Sequence, residues 1–286
     1  MGVKSSNLLC STTHSLEWVF CLVCDEQDGD AGVEGELFNL MASYYDSYRP
    51  DYPPKAIDTI IKKAQLTEGS RLLEIGSGSG KATALFLNKG FDLTCIDPGE
   101  ELISLGKAKY ASQNVRFISS RFEDYDAPTG YYDAVISAQA FHWISRPIGY
   151  TKSAAVLKHA GYLALFWNID IFQDVEQDVE LWSILSKYNA FVACIKEADY
   201  PARVKTITDS ITESAGFAKP EVLSFVWDKV YDLNGYYGYL MTSQVFFQKP
   251  DALKKACFEE LSGLLERHGG RIKRRYTCEL YLARKI

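Results

Sequence analysis

The run Leu72-Leu73-Glu74-Ile75-Gly76-Ser77-Gly78-Ser79-Gly80 constrains this chain more than any other stretch. Four apolar or buried-type positions break at a glycine, as a buried parallel strand does when it enters a tight turn. A helix reads on from Ala82 to Leu87. The glycines let the backbone turn sharply and approach a ligand, while the helix start offers unpaired N–H groups. Dinucleotide-binding proteins place GxGxxG at the same point. Here the spacing is GxGxG, and Glu74 stands two positions before the first glycine. A carboxylate there would repel a pyrophosphate and suits a ligand carrying an ammonium group.

The segments around this loop keep a βαβ rhythm. Apolar residues at helical spacing run from Ala56 to Ala64, and FDLTCI forms a second strand ending at Asp97. A helix over Glu101 to Tyr110, the strand NVRFI, the strand YDAVISA from Tyr132 and a helix over Pro147 to His159 follow. Tyr162 to Trp167 reads as a fifth strand, ending at Asn168. This alternation predicts an α/β fold with a doubly wound, mostly parallel sheet. Residues 169–216 read as mainly helical with Pro201 interrupting, Glu221 to Asp232 as a strand, and Gly235 to Phe247 and Ala252 to His268 as helices. Gly269-Gly270 stops the last helix, and Arg275 to Ala283 alternates as a final, seventh strand. Residues 1–36 are rich in Ser, Thr and Gly and end in an acidic run; they are expected to be a mobile N-terminal extension. The main domain is expected over 37–286, with a core at 37–168 and cap helices at about 169–216 and 232–268.

Composition narrows the partners. With 47% hydrophobic and 24% charged residues, the 286-residue chain has ample material for a core. A net charge of −6 argues against nucleic acid, which needs a basic face. The one basic cluster, Arg271, Lys273, Arg274 and Arg275, reads as a solvated strand entrance. Seven cysteines, several in apolar runs, point to reduced thiols and a cytoplasmic setting. Cys10, His14, Cys21 and Cys24 lack the two well-spaced pairs of a zinc site, so no metal is expected. The apolar run Trp18 to Cys24 is too short to span a bilayer, and no membrane anchor is expected.

Asp97 closes the second strand, where a carboxylate reaches the two hydroxyls of a ribose lying across the sheet's switch point. That position marks a nucleoside without naming it. LLEIGSGSGKAT, CIDPGEELI, VRFISSRFEDY, YDAVISAQAFHWI and GYLALFWN together resemble successive motifs of the class I methyltransferases that use S-adenosyl-L-methionine. YYDSYRPDYP, from Tyr44, resembles the N-terminal cofactor-covering helix of small-molecule members, and the segment from Gly269 resembles their last strand. The likeness covers roughly residues 37–286. It implies a seven-stranded Rossmann-like sheet with an antiparallel final strand and a helical cap.

The resemblance also implies roles. Glu74, Gly76, Ser77 and Gly78 would line the methionine end of S-adenosyl-L-methionine, Asp97 the ribose, and Arg121, Phe122 and Glu123 the adenine. Many members carry Asp-Ala where this chain has Arg121-Phe122, so a side-chain bond from that aspartate to the adenine is not expected here. Gln139 would lie near the sulfonium, and Tyr45 and Arg49 would approach from the N-terminal helix. Tyrosine can stabilise a sulfonium by cation–π attraction, and arginine can pair with a carboxylate.

His142 is the candidate catalytic base, with a pocket-wall role as its alternative and Trp143 as apolar packing. Methyl transfer is an in-line displacement on an activated sulfonium, for which positioning supplies much of the acceleration. The expected partner is a small-molecule methyl acceptor, methylated at oxygen or nitrogen, a carboxylate among the possibilities. An NAD(P)-binding oxidoreductase would want GxGxxG and a hydride-transfer motif, and neither is found. A nucleic-acid amino-methylating enzyme would want Asn/Asp-Pro-Pro-aromatic where this chain has Ala138-Gln139-Ala140-Phe141. A non-catalytic cofactor-binding protein remains an alternative. The cap's aromatics either bury it against the sheet or pack on an apolar or planar acceptor.

Overall fold

The computed structural model describes residues 41–214 and 216–286. The expected extension over 1–36, with its CxxC, lies outside the described residues. Residues 41–48 are helical. Helix α1 (Pro54–Lys63) starts on a proline, whose missing N–H costs nothing in a first turn, and buries Ala56, Ile57 and Ile60. Strand β1 (Arg71–Ile75), helix α2 (Thr83–Phe86), β2 (Asp92–Asp97), α3 (Glu100–Lys109), β3 (Val115–Ser119), β4 (Tyr132–Ala138) and α4 (Arg146–Val156) follow. Next come β5 (Leu157–Phe172), α5 (Glu176–Tyr188), β6 (Cys194–Lys196), α6 (Tyr200–Glu213) and β7 (Glu221–Tyr231). Helices α7 (Leu233–Leu240), α8 (Gln244–Phe247) and α9 (Asp251–Arg267) lead to β8 (Ile272–Arg284).

The sheet runs β3-β2-β1-β4-β5-β8-β7. The first five strands are parallel, and β8 is antiparallel to both its neighbours, as expected. An eighth strand was not foreseen: the three-residue β6 pairs with the end of β5 that projects beyond β4. Along β5 the faces alternate. Leu163, Leu165, Trp167 and Ile169 pack towards α4 and α6, whereas Ala164 and Phe166 pack towards α1 and α2. A third apolar cluster holds α5, α7 and α9 together as a cap.

Four features differ from the sequence reading. Helix α4 stops at Val156, and β5 begins at Leu157 with an irregular pairing between Tyr132 and Ala134. Pro201 does not interrupt a helix but sits in the first turn of α6. The helix expected over 235–247 is two, broken at 241–243. The basic cluster is not simply solvated. Strand alternation sends Lys273 and Arg275 outward to Asp228, but turns Arg274 fully inward. There Arg274 pairs with Asp170 at 2.8 Å and with Asp178, and lies 3.9 Å over the ring of Phe172.

Candidate cofactor and acceptor cavity

The carboxyl ends of the parallel strands open into a cavity of about 260 Å³. Ligands of doubly wound sheets bind at this position. The glycine loop forms its floor. Gly76 has φ +68°, a left-handed conformation that L side chains rarely adopt, and a Cβ there would meet the Cβ of Ala140 at 2.2 Å. Gly78 also has positive φ (+54°), and its N–H donates to Asp97 Oδ2 at 2.9 Å. Asp97 Oδ1 accepts from Gly99 N–H at 2.8 Å. The two strand ends are thus pinned by one carboxylate, whose remaining lone pairs are available to a ligand. Burial raises the Asp97 pKa, and the two N–H bonds pull it back.

Glu74 lines the same cavity and is almost fully buried. Its Oε2 accepts from Thr83 Oγ1 at 2.5 Å and, weakly, from Cys95 Sγ at 3.7 Å. Its Oε1 has no partner. Burial is the main reason that its pKa rises to about 7, with the Asp97 charge adding to the effect. A buried acceptor atom without a donor is costly unless a ligand supplies one.

The helical residues 41–48 lie beside this floor. Asp46 ties them down, accepting from Ser79 Oγ at 2.5 Å and from Lys109 Nζ at 2.7 Å. Tyr45 packs against Gly78. Arg49 lies over the rings of Tyr45 and Tyr239, at 5.1 and 5.9 Å, and donates from Nη2 to the carbonyl of Thr242. Its buried Nε has no partner, and it forms no ion pair among the described residues. At the other end Arg121, Phe122 and Glu123 follow β3 into the wall. Phe122 is buried under Lys152, and Arg121 faces Glu123 at 3.8 Å.

All the expected cofactor residues therefore line one cavity: Tyr45, Arg49, Glu74, Gly76, Ser77, Gly78, Asp97, Arg121, Phe122, Glu123 and Gln139. Gln139 lies in the lining with its amide committed to the backbone. Its amide clasps the backbone of Asn168, Oε1 accepting from N–H at 2.7 Å and Nε2 donating to C=O at 3.2 Å. Both polar ends are used, and they hold Gln139 at φ +61°. His142 stands outside the lining, while its neighbours Ala140, Trp143 and Ile144 belong to it. His142 Nδ1 accepts from the indole N–H of Trp167 at 3.2 Å, which leaves the ring proton of the neutral form on Nε2. Burial, with Arg203 and Arg49 nearby, lowers its pKa to about 3.

The lining also includes residues outside the expected cofactor set, among them Tyr52, Asn168 and Tyr276, together with Tyr239 from the aromatic cap. Tyr52 belongs to the quoted YRPDYP run and had a local signal. Tyr276 had none, because only the pairing of β8 between β5 and β7 brings it there. Trp143, expected as apolar packing, lines the cavity and is 47% exposed.

Comparison with known proteins agrees with this geometry. Residues 73–165 match the methyltransferase domain family. With the glycine loop, Glu74, Asp97 and the strand order, this segment is similar to methyltransferase domains. An uncharacterized methyltransferase of Mycobacterium tuberculosis is 33% identical over 131 residues, 46% of this chain and 51% of that protein. A probable S-adenosylmethionine-dependent methyltransferase of Saccharomyces cerevisiae is 30% identical over 135 residues, 45% of each chain. The chain spans about half the length of these curated relatives. Among solved structures, a putative type II methyltransferase of Anaeromyxobacter dehalogenans shares the fold, with a TM-score of 0.58 at 18% identity. It covers 83% of this chain and 98% of its own. Among the described residues no helix is long and apolar enough to cross a membrane.

Proposed function

We propose that the protein transfers a methyl group from S-adenosyl-L-methionine to a small-molecule acceptor, at oxygen or nitrogen, in a reducing, cytoplasmic setting. The observation that carries this reading is the pair of carboxylates, Glu74 and Asp97, around a glycine loop in one cavity. Glu74 beside the loop disfavours the pyrophosphate of NAD, and the pair together suits a ligand with an ammonium at one end and a ribose at the other. Glu74 Oε1, now without a donor, would accept from the ammonium. Asp97 would accept from the ribose hydroxyls, Arg49 would pair with the ligand's carboxylate, and Phe122 with its flanking Arg121 and Glu123 would bound the adenine. Tyr45 would turn its ring to the positive sulfur. When bound, the cofactor supplies a methyl group on a positively charged sulfur, a leaving group that needs no further activation. The chain's own contribution is then to hold, orient and exclude water. His142 is no base in this scheme, since its Nδ1 lone pair is bonded to Trp167 and its ring stays neutral.

Calorimetric titration tests the reading. S-Adenosylmethionine and its demethylated product should bind and NAD should not; binding of NAD alone overturns it. Asp97→Ala should weaken the nucleoside ligands by about 1–3 kcal/mol, because buried hydroxyls lose their acceptor. Affinity should also depend on pH in a fixed direction. Glu74 must be ionised to hold an ammonium, and its pKa is raised to about 7, so affinity falls as pH drops through that value. The apo protein has the opposite sign: a raised carboxylate pKa favours the folded state at low pH and loses that contribution as pH rises. A flat affinity profile between pH 6 and pH 8 (roughly one unit either side of the Glu74 value) would remove Glu74 from the ammonium site.

A further inference from the structure

Among the described residues, the cavity holds donors and a spare cation, but no side chain free to take a proton. Its four tyrosines, Tyr45, Tyr52, Tyr239 and Tyr276, all have phenol pKa values raised by burial, so at neutral pH they are donors and not phenolates. Asp97 is held by two backbone N–H groups, and Glu123 faces Arg121 at the opposite end. Glu74, whose pKa is raised to about 7, lies under the glycine loop, bonded to Thr83. His142, beside the wall, has its Nδ1 occupied by Trp167.

The positive charge points the same way. Among the lining cations, Lys81 is paired with Asp51 at 3.0 Å and Arg121 with Glu123. Arg49 has no carboxylate, and of the five N–H donors of a guanidinium the structure spends one, on Thr242. One cofactor carboxylate takes at most two of the other four. Lys229, on β7 next to Trp227, is half-buried over the ring of Tyr231 and has no ion pair among the described residues. Trp227, two positions away on the same strand, stacks on Tyr276 at 5.0 Å and donates to Asn168 Oδ1.

We propose that the acceptor is a carboxylic acid, bound as its carboxylate, and that the product is a methyl ester. This deepens the methyl-transfer reading and rests on it. A neutral alcohol must lose a proton as it is methylated, and an ammonium must lose one first; the described lining residues offer neither proton a place to go. A carboxylate oxygen brings its lone pair ready. The O–CH₃ bond forms as the C–S pair returns to sulfur, the acceptor's charge and the sulfonium's charge cancel, and no proton moves. Arg49 holds the acid in place by its unspent N–H groups, with Lys229 adding to the field.

The test uses the full chain saturated with the demethylated cofactor, so that turnover is not needed. Calorimetric titration with cinnamate, cinnamyl alcohol and cinnamylamine compares one planar skeleton in anionic, neutral and cationic form. Cinnamate should bind at least roughly tenfold more tightly than either, the equivalent of one charged hydrogen bond. A second readout is chemical. Label transferred from methyl-labelled cofactor to a mixture of acids, phenols and amines should be released as methanol by mild alkali, as an ester's is. No preference for the acid, or label that survives alkali as an ether or amine, overturns the proposal. Failure of the demethylated cofactor to bind in the first place would instead remove the methyl-transfer reading.

Discussion

Gly76→Ala should lower stability by about 2–5 kcal/mol and weaken cofactor binding by more than roughly a hundredfold. Two costs add at this position. The residue occupies φ +68°, and the new methyl group would sit 2.2 Å from the Cβ of Ala140. Ala140 cannot easily retreat, because the preceding Gln139 is clasped to Asn168 through both ends of its amide. The strain would therefore pass into the loop itself, shifting Gly78 and with it the grip on Asp97. Thermal melting and calorimetry on the same sample separate the two effects. A variant that melts like the parent and binds within tenfold would show that the loop moves freely, against the account of its rigidity given above.

Arg274→Met should cost about 3–5 kcal/mol, the usual penalty for removing one partner of a buried ion pair. Asp170 and Asp178 would be left inside the cap with no cation, and the Nη2 bond to the carbonyl of Ile171 would be lost. The effect has a predictable pH dependence. Burial already raises the Asp170 pKa, and Arg274 is what pulls it down. Without the arginine that pKa climbs further, so the variant's deficit is greatest at neutral pH and shrinks as acid protonates the stranded Asp170. Adding Asp170→Asn and Asp178→Asn should recover most of the loss. Denaturant titrations of the single and triple variants at pH 7 and pH 5 decide it; equal stability of all forms would mean that the triad carries no net energy.

The half of the chain before Asn168 was legible because its signals are local. A glycine loop, a strand-end aspartate and apolar runs of five to seven residues each act over a few positions, and β1 to β4 fall where the pattern puts them. The second half depends on pairing. Nothing near Arg274 announces that it turns inward; its fate is set by the register of β8 and by Asp170 on the facing strand. Tyr276 enters the site for the same reason. Gln139 shows the opposite limit: its place beside the cavity was readable, but its amide's commitment to the backbone of Asn168 was not. The strand β6 was missed because three residues of Cys-Ile-Lys carry no periodicity, and only the overhang of β5 makes them a strand.

The position of β8 between β5 and β7 sets the order in which this domain can assemble. Leu163 pairs with Ala283, so that contact closes a loop of 120 residues (283 − 163), while β1 and β2 pair across about twenty. Loop closure over such a span is entropically slower than over a short one, and chains rich in distant contacts fold later. The nucleoside half can therefore form early, around β1 to β4, with its glycine loop in place. Tyr276 and the Arg274 triad arrive only when the last strand slots in. Refolding followed by two probes, one beside Asp97 and one at Tyr276, should show the first signal leading the second, with ligand binding restored in step with the later one.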